Sequence, residues 1–166
     1  MVERVSIIVP AFNEERYIGP VLDSLINAVS GNNAPNGIFS KKPAFLIQNI
    51  VVVDDGSSDK TGKIAKRKGA EVISIPTNSG KAFAFFKGAQ HARANGSTIL
   101  LMLDADLEPV SLKQIKMLVE PVAQKKCKMS VGTVHEDSIP ASGQRAIRLS
   151  ALDPLFNGNK KWETFF

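Results

Sequence analysis

The run Ile99-Leu100-Leu101-Met102-Leu103, stopping abruptly at Asp104-Ala105-Asp106, constrains this chain more than any other stretch. A short unbroken apolar segment has no polar face to offer water. It predicts a parallel strand buried on both sides, and with it an open α/β sheet covered by helices. Ligands of such sheets bind beyond the carboxyl ends of the strands, so the two carboxylates stand where chemistry is expected. Side chains at i and i+2 near a strand point the same way, which places Asp104 and Asp106 to share one hard cation past the small Ala105. Magnesium or manganese, completed by the oxygens of a diphosphate, suits that donor set. Asp-x-Asp is also common as plain strand-end chemistry, here with Pro109 near the predicted first turn of the next helix. The other strands decide between the two.

Three further strands are predicted, over 5–9, 50–53 and 72–75, the first two of them buried. The first is closed by Pro10 and leads through Ala11, Phe12, Asn13 and Glu14 into a helix. Asn13 is its expected N-cap, and Ile18, Val21, Leu22, Leu25, Ile26 and Val29 form the apolar stripe. Gly, Asn, Pro, Ser and Lys over 30–43 predict a surface loop. The second strand ends at Asp54-Asp55-Gly56-Ser57-Ser58-Asp59, where Gly56 permits a tight turn and Ser58 or Asp59 caps a helix over 61–67. A carboxylate here is placed to accept hydrogen bonds from a base N–H or a ribose hydroxyl. As exposed turn carboxylates, Asp54 and Asp55 are expected to contribute little to stability.

The third strand leads into Asn78-Ser79-Gly80-Lys81 and a helix over 81–95. Backbone N–H groups, the helix dipole and one mobile cation together suit a phosphate. No Walker loop and no Gly-x-Gly-x-x-Gly is present, which excludes the usual dinucleotide fingerprints. Phe83, Phe85 and Phe86 read as packing residues, and His91 as an exposed helix residue. A helix over 109–124 and a strand over 129–134 follow, then a polar turn from Ala141 into Ala146-Ile147-Arg148-Leu149.

With 166 residues, 43% of them hydrophobic and 22% charged, the chain fits one globular domain. A net charge of +5 admits an anionic partner without naming it. The single Cys127 excludes an internal disulfide framework and fits a reducing compartment. No run is apolar and long enough to span a bilayer.

Taken together, the segment from Val9 to Glu15, the segment from Val53 to Asp59, Asn78-Ser79-Gly80-Lys81 and Asp104-Ala105-Asp106 resemble the family 2 glycosyltransferases of the GT-A fold. The likeness is strong over 2–109 and looser beyond. It implies an open, mixed, mainly parallel sheet flanked by helices, with the nucleotide at the strand carboxyl ends. It further implies that Pro10, Ala11, Phe12, Asn13 and Glu14 line the nucleoside pocket, together with Asp54, Asp55, Gly56 and Ser57 at the base. Asn78, Gly80 and Lys81 would approach the nucleotide, and Asp104, Ala105 and Asp106 would form the family's Asp-x-Asp, with Asp104 and Asp106 at the metal and Asp106 in catalysis.

The stretch from Ser142 to Arg148 resembles a segment of polyprenyl-phosphate and phosphoglycerate glycosyltransferases, which makes Arg145 and Arg148 candidates for a phosphorylated or lipid-linked acceptor. His135-Glu136-Asp137 holds the Glu-Asp pair that marks a catalytic base in inverting members, which makes Asp137 the candidate base. The Gln/Arg-x-x-Arg-Trp signature of processive polymerases is absent.

The resulting expectation is a transfer of sugar from a UDP- or GDP-sugar to an acceptor, using Mg2+ or Mn2+ and no nucleic acid. A nucleotidyltransferase and a nucleotide-sugar-binding module without turnover are the competing classes. The domain is expected to be truncated, with 1–109 binding the donor and 110–166 an incomplete acceptor side. Cytoplasmic placement is expected, with membrane attachment through residues beyond Phe166. Trp162, Phe165 and Phe166 are expected to pack on further sequence or on a second subunit.

Overall fold

The computed structural model describes residues 2–33, 44–132 and 143–157. Among the described residues, six strands form one sheet in the order β3-β2-β1-β4-β6-β5. They are β1 (Glu3–Ala11), β2 (Phe45–Asp55), β3 (Glu71–Ile75), β4 (Ile99–Met102), β5 (Met129–Val131) and β6 (Arg145–Arg148). The neighbours β1–β2, β1–β4 and β2–β3 pair in parallel, while β6 runs antiparallel to both β4 and β5. The expected mixed, mainly parallel sheet is therefore observed.

The helices are α1 (Ile18–Asn33), α2 (Thr61–Arg67), α3 (Lys81–Ala94), α4 (Leu112–Ala123) and the short α5 (Asp153–Phe156). From β1 through β2 to β3 the chain steps one way across the sheet, with α1 and α2 on one face. From β3 to β4 it steps back past β1, and right-handed crossover then requires α3 on the other face. The core divides accordingly. Val5, Ile7, Val9, Leu101 and Leu103 meet α1, α2 and α4 on one side. Ile8, Val51, Val53, Leu100 and Met102 meet α3 and α5 on the other. Phe85 is buried in that second layer and Phe86 stacks on Phe156 at 5.8 Å, so these rings are packing residues as expected.

Several local expectations need correction. Pro10 does not close β1, because the strand continues through it to Ala11 with Pro10 paired to Val53. Ile8 accepts from the Leu103 N–H on the β4 side, and Pro10 two residues on faces that same side just where β4 has ended. Its missing donor leaves no ladder bond unmade. Asn13 is not the cap of α1, which begins five residues later at Ile18 and runs past the expected loop boundary to Asn33. Nor does Pro109 start α4, since Ser111 caps that helix in a reciprocal capping box with Gln114. His91 stands on α3 as expected, partly exposed, with its Nε2 2.6 Å from Glu71 Oε2. Among the described residues no helix is long and apolar enough to cross a membrane.

Candidate active site

Strand parity assembles the site. Met102 and Leu100 face α3, and Asp104 continues that alternation; Val51 and Val53 face α3, and Asp55 does likewise. Pro10 follows Ile8 onto the same side. All three meet the start of α3, where Gly80 and Lys81 lie. The result is a cavity of about 450 Å3 at the carboxyl ends of β1 and β4, lined by Pro10, Ala11, Phe12, Glu14, Asp55, Asn78, Gly80, Lys81, Ala84, Asp104, Ala105 and Asp106. It sits where β1 and β4 diverge to opposite halves of the sheet, the switch point at which open α/β sheets bind ligands.

The two aspartates after β2 are separated by this geometry. Asp55 is 3% exposed and its carboxylate accepts the N–H groups of Ser79 (2.9 Å) and Gly80 (2.8 Å). It is not the exposed turn residue expected from sequence. It fixes the loop that opens α3 and still borders the cavity. Asp54 faces the other way, accepting from Ser57 N–H at 3.1 Å and packing on Gly62 of α2. Gly56, at a φ of 75°, sits so close to the Thr77–Asn78 backbone that a Cβ would lie 2.7 Å from it. Neither Asp54 nor Gly56 lines the cavity.

Asn13 and Ser57 likewise act between loops rather than on the cavity wall. The Asn13 N–H donates to Ser57 Oγ (3.0 Å), the Ser58 N–H donates back to Asn13 Oδ1 (2.9 Å), and the Glu14 N–H donates to Thr61 Oγ1 (2.8 Å). Asn13 adopts a φ of 57°, a left-handed conformation that asparagine tolerates better than most residues. The loops after β1 and β2 are thereby zipped into one rim. Thr61, fully buried, and Ala84, small enough to leave room under the cavity, are contributors that sequence reasoning missed. Each reads as an ordinary helix residue in sequence, and only its neighbours across the chain give it a role.

The cavity carries opposed charges. Lys81 Nζ lies 2.5 Å from Asp104 Oδ1. Burial, then the negative charges of Asp106 and Asp59, raise the Glu14 carboxyl above its usual range, so Glu14 and Asp106 share one negative field. Strand geometry does not align Asp104 with Asp106, because β4 ends at Met102 and Ala105-Asp106 form a turn. Among the described residues no three metal-ligating side chains converge. Two hard carboxylate donors on one cavity wall fit a magnesium- or manganese-type ion that takes its remaining oxygens from a diphosphate and water, since Mg2+ seldom relies on an all-protein cage.

Arg145 and Arg148 are not brought together. Arg145 pairs with Met102 at the cavity end of β6, whereas Arg148 pairs with Ile99 at the far end. There Arg148 donates to Glu3 Oε1 (3.1 Å) and to the Val122 carbonyl (2.6 Å), which ties β6 to β1 and α4. Residues 34–43, His135, Glu136, Asp137, Ser142, Trp162, Phe165 and Phe166 lie outside the described residues, and with them the candidate base and the aromatic end.

An uncharacterized protein of Methanocaldococcus jannaschii is 34% identical over 131 residues, 79% of this chain and 46% of its own. A dolichyl-phosphate beta-glucosyltransferase of Trichomonas vaginalis is 34% identical over 107 residues, 61% of this chain and 30% of its own. The chain thus spans less than half the length of these relatives. Glucosyl-3-phosphoglycerate synthase from Mycobacterium tuberculosis, solved with Mn2+, UDP and glucosyl-3-phosphoglycerate, superposes with a TM-score of 0.70 at 22% identity, covering 90% of this chain and 58% of that one. The fold is that of the GT-A glycosyltransferases. The sequence model of glycosyl transferase family 2 matches residues 6–162, and the chain belongs to that family.

Proposed function

We propose that this chain forms the donor-binding part of a glycosyltransferase that moves a sugar from a nucleoside diphosphate, UDP in the first instance, to a phosphorylated or lipid-linked acceptor. The observation that carries the reading is the cavity at the β1–β4 switch point, which Lys81, Asp104, Asp106 and Glu14 all line. The family assignment and the UDP complex of the mycobacterial neighbour support it.

Each residue then has a distinct task. Asp55 holds Ser79 and Gly80 so that the α3 start, with its Lys81 cation, presents a fixed positive end to phosphate oxygens. Phe12, 43% exposed on the cavity rim, offers an apolar face to a base. Asp104 and Asp106 would hold the divalent cation, Mg2+ or Mn2+. Such an ion supplies charge neutralisation for the diphosphate leaving group. Lys81 aids in the same task by passing from Asp104 to a phosphate oxygen as the donor enters. Asp137 is the proposed base toward a hydroxyl acceptor, and Arg145 the proposed acceptor contact.

The test is calorimetric titration of UDP and GDP with and without Mn2+. The expected result is tighter UDP binding with the metal, and loss of that linkage in Asp106→Asn. Equal affinity under all these conditions would remove the metal from the reading.

A further inference from the structure

A side chain at Gly143 would collide with the carboxylate of Asp104. β6 and β4 pair antiparallel with Met102 opposite Arg145, and continuing that register two residues past the end of β4 sets Asp104 opposite Gly143. The Gly132 N–H donates to the Gln144 carbonyl at 2.9 Å, which secures the approach of this segment from its other neighbour. The Asp104 carboxylate folds over the Gly143 backbone. A Cβ placed on Gly143 would lie 2.5 Å from Asp104 Oδ2, 2.6 Å from Oδ1 and 2.9 Å from Cγ. Real Cβ contacts stay beyond about 3.0 Å, so a side chain at 143 requires either the carboxylate or the β6 approach to move.

The same carboxylate is also held by Lys81 Nζ. Asp104 thus meets both a cation from the start of α3 and a bare stretch of backbone just before β6. Its χ1 has three staggered wells while the carboxylate torsion is broad, so a residue at 143 that displaces the carboxylate turns it away from Lys81 rather than unfolding the segment. The hold differs from that on Asp106, which is exposed in the turn and whose charge acts on Glu14.

We infer that Gly143 is a positioning residue for the donor site. Its missing side chain lets the Asp104 carboxylate lie across β6 in reach of Lys81, and so couples the segment that leads to Arg145 with the nucleotide cavity. The inference rests on the donor-site reading above, and adds to it a residue outside the four strand-end loops. Gly143 touches neither nucleotide nor metal in this role. It acts only through Asp104.

The experiment is a double-mutant cycle on the full chain, Gly143→Ala in the wild-type and Asp104→Ala backgrounds, with UDP affinity measured in Mn2+ by calorimetry or ligand-observed NMR. Gly143→Ala should weaken binding about tenfold in the wild type, and should add no further loss once Asp104 is alanine, because nothing is left to displace. Wild-type affinity in Gly143→Ala, or an equal loss in both backgrounds, would overturn the assignment. The carboxyl 13C resonance of Asp104 in ligand-free protein supplies a readout that does not depend on nucleotide. It should move in Gly143→Ala, and an unmoved resonance would also overturn the inference. If the wild type binds neither UDP nor GDP while that resonance moves, the donor-site reading fails and the Gly143–Asp104 coupling stands.

Discussion

Asp55 is the residue on which the shape of the cavity depends most directly. It is nearly excluded from water and accepts two backbone N–H groups at the start of α3. Removing the acceptor leaves the Ser79 N–H unpartnered and the Gly80 N–H with only Asn78 Oδ1 at 3.1 Å, and an unsatisfied part-buried group costs about 1–3 kcal/mol. Asp55→Ala is therefore expected to lower stability by about 2 kcal/mol in urea denaturation and to weaken UDP binding. Asp54→Ala should change nucleotide affinity far less. A loss below ~0.5 kcal/mol in Asp55→Ala, the scale of a neutral surface change, would contradict the assignment. The doubled aspartate was visible in sequence, but the difference between its members was not. Val51, Val52 and Val53 are apolar on both faces of the sheet, so alternation gave no sign of which carboxylate looks toward α3. The bulge at Val5/Ser6, where the register of β1 passes over Gln48, further hides the parity of β2.

At the scale of elements, two ion pairs tie strands to their neighbours far from the cavity. Arg148 and Glu3 are 18% and 14% exposed, and Arg148 also reaches the Val122 carbonyl. Arg148→Ala should reduce stability by about 2–3 kcal/mol, somewhat less than the loss for a fully buried pair, and leave UDP affinity unchanged. A variant of normal stability with impaired acceptor use would restore Arg148 to the acceptor site. On the opposite half of the sheet, Glu71 of β3 meets His91 of α3 and accepts from Asn49 at 2.9 Å. Burial works against its ionisation, but the hydrogen bonds from Asn49 and His91 and the charge of His91 outweigh it and hold Glu71 below its ordinary 4.5. A depressed carboxylate stabilises the fold above its unfolded value, and that contribution is lost as pH falls through the folded value. Thermal melts from pH 6 down to about pH 3 should therefore show a shallower acid loss in Glu71→Gln than in wild type; identical slopes would refute the link. β1, the carboxyl half of β2 and β4 were legible because both-face burial leaves a continuous apolar run. β5 and β6 were harder to read, since Met129–Val131 and Arg145–Arg148 are short, half exposed, and paired antiparallel by contacts distant in sequence.

For the molecule as a whole, the ends of β1, β2 and β4 and the loop after β3 border one cavity, and the loops around it are tied to one another across the chain. The β1 loop hangs on Ser57, Ser58 and Thr61, the β3 loop on Asp55, and Asp104 on Lys81. A nucleotide that bridges these loops is bound by the folded state alone, because the unfolded chain holds none of them together. Such a ligand adds RT ln(1 + [L]/Kd), roughly 2.7 kcal/mol at a hundred times Kd. For a chain of this size each kcal/mol raises the melting temperature by about 2–4 °C, so saturating UDP with Mn2+ should raise it by roughly 5–10 °C. The same UDP without metal should give a smaller rise, and Asp106→Asn should reduce the metal-dependent part while leaving the metal-free shift in place. Inorganic sulfate at matched ionic strength controls for simple occupation of the Lys81 end, where one cation and the α3 dipole attract any anion. If sulfate reproduces the whole shift, the cavity recognises charge alone. If UDP with Mn2+ exceeds sulfate by several degrees and the excess vanishes in Asp106→Asn, the cavity recognises a metal-bridged diphosphate, as its two carboxylates and its lysine require together.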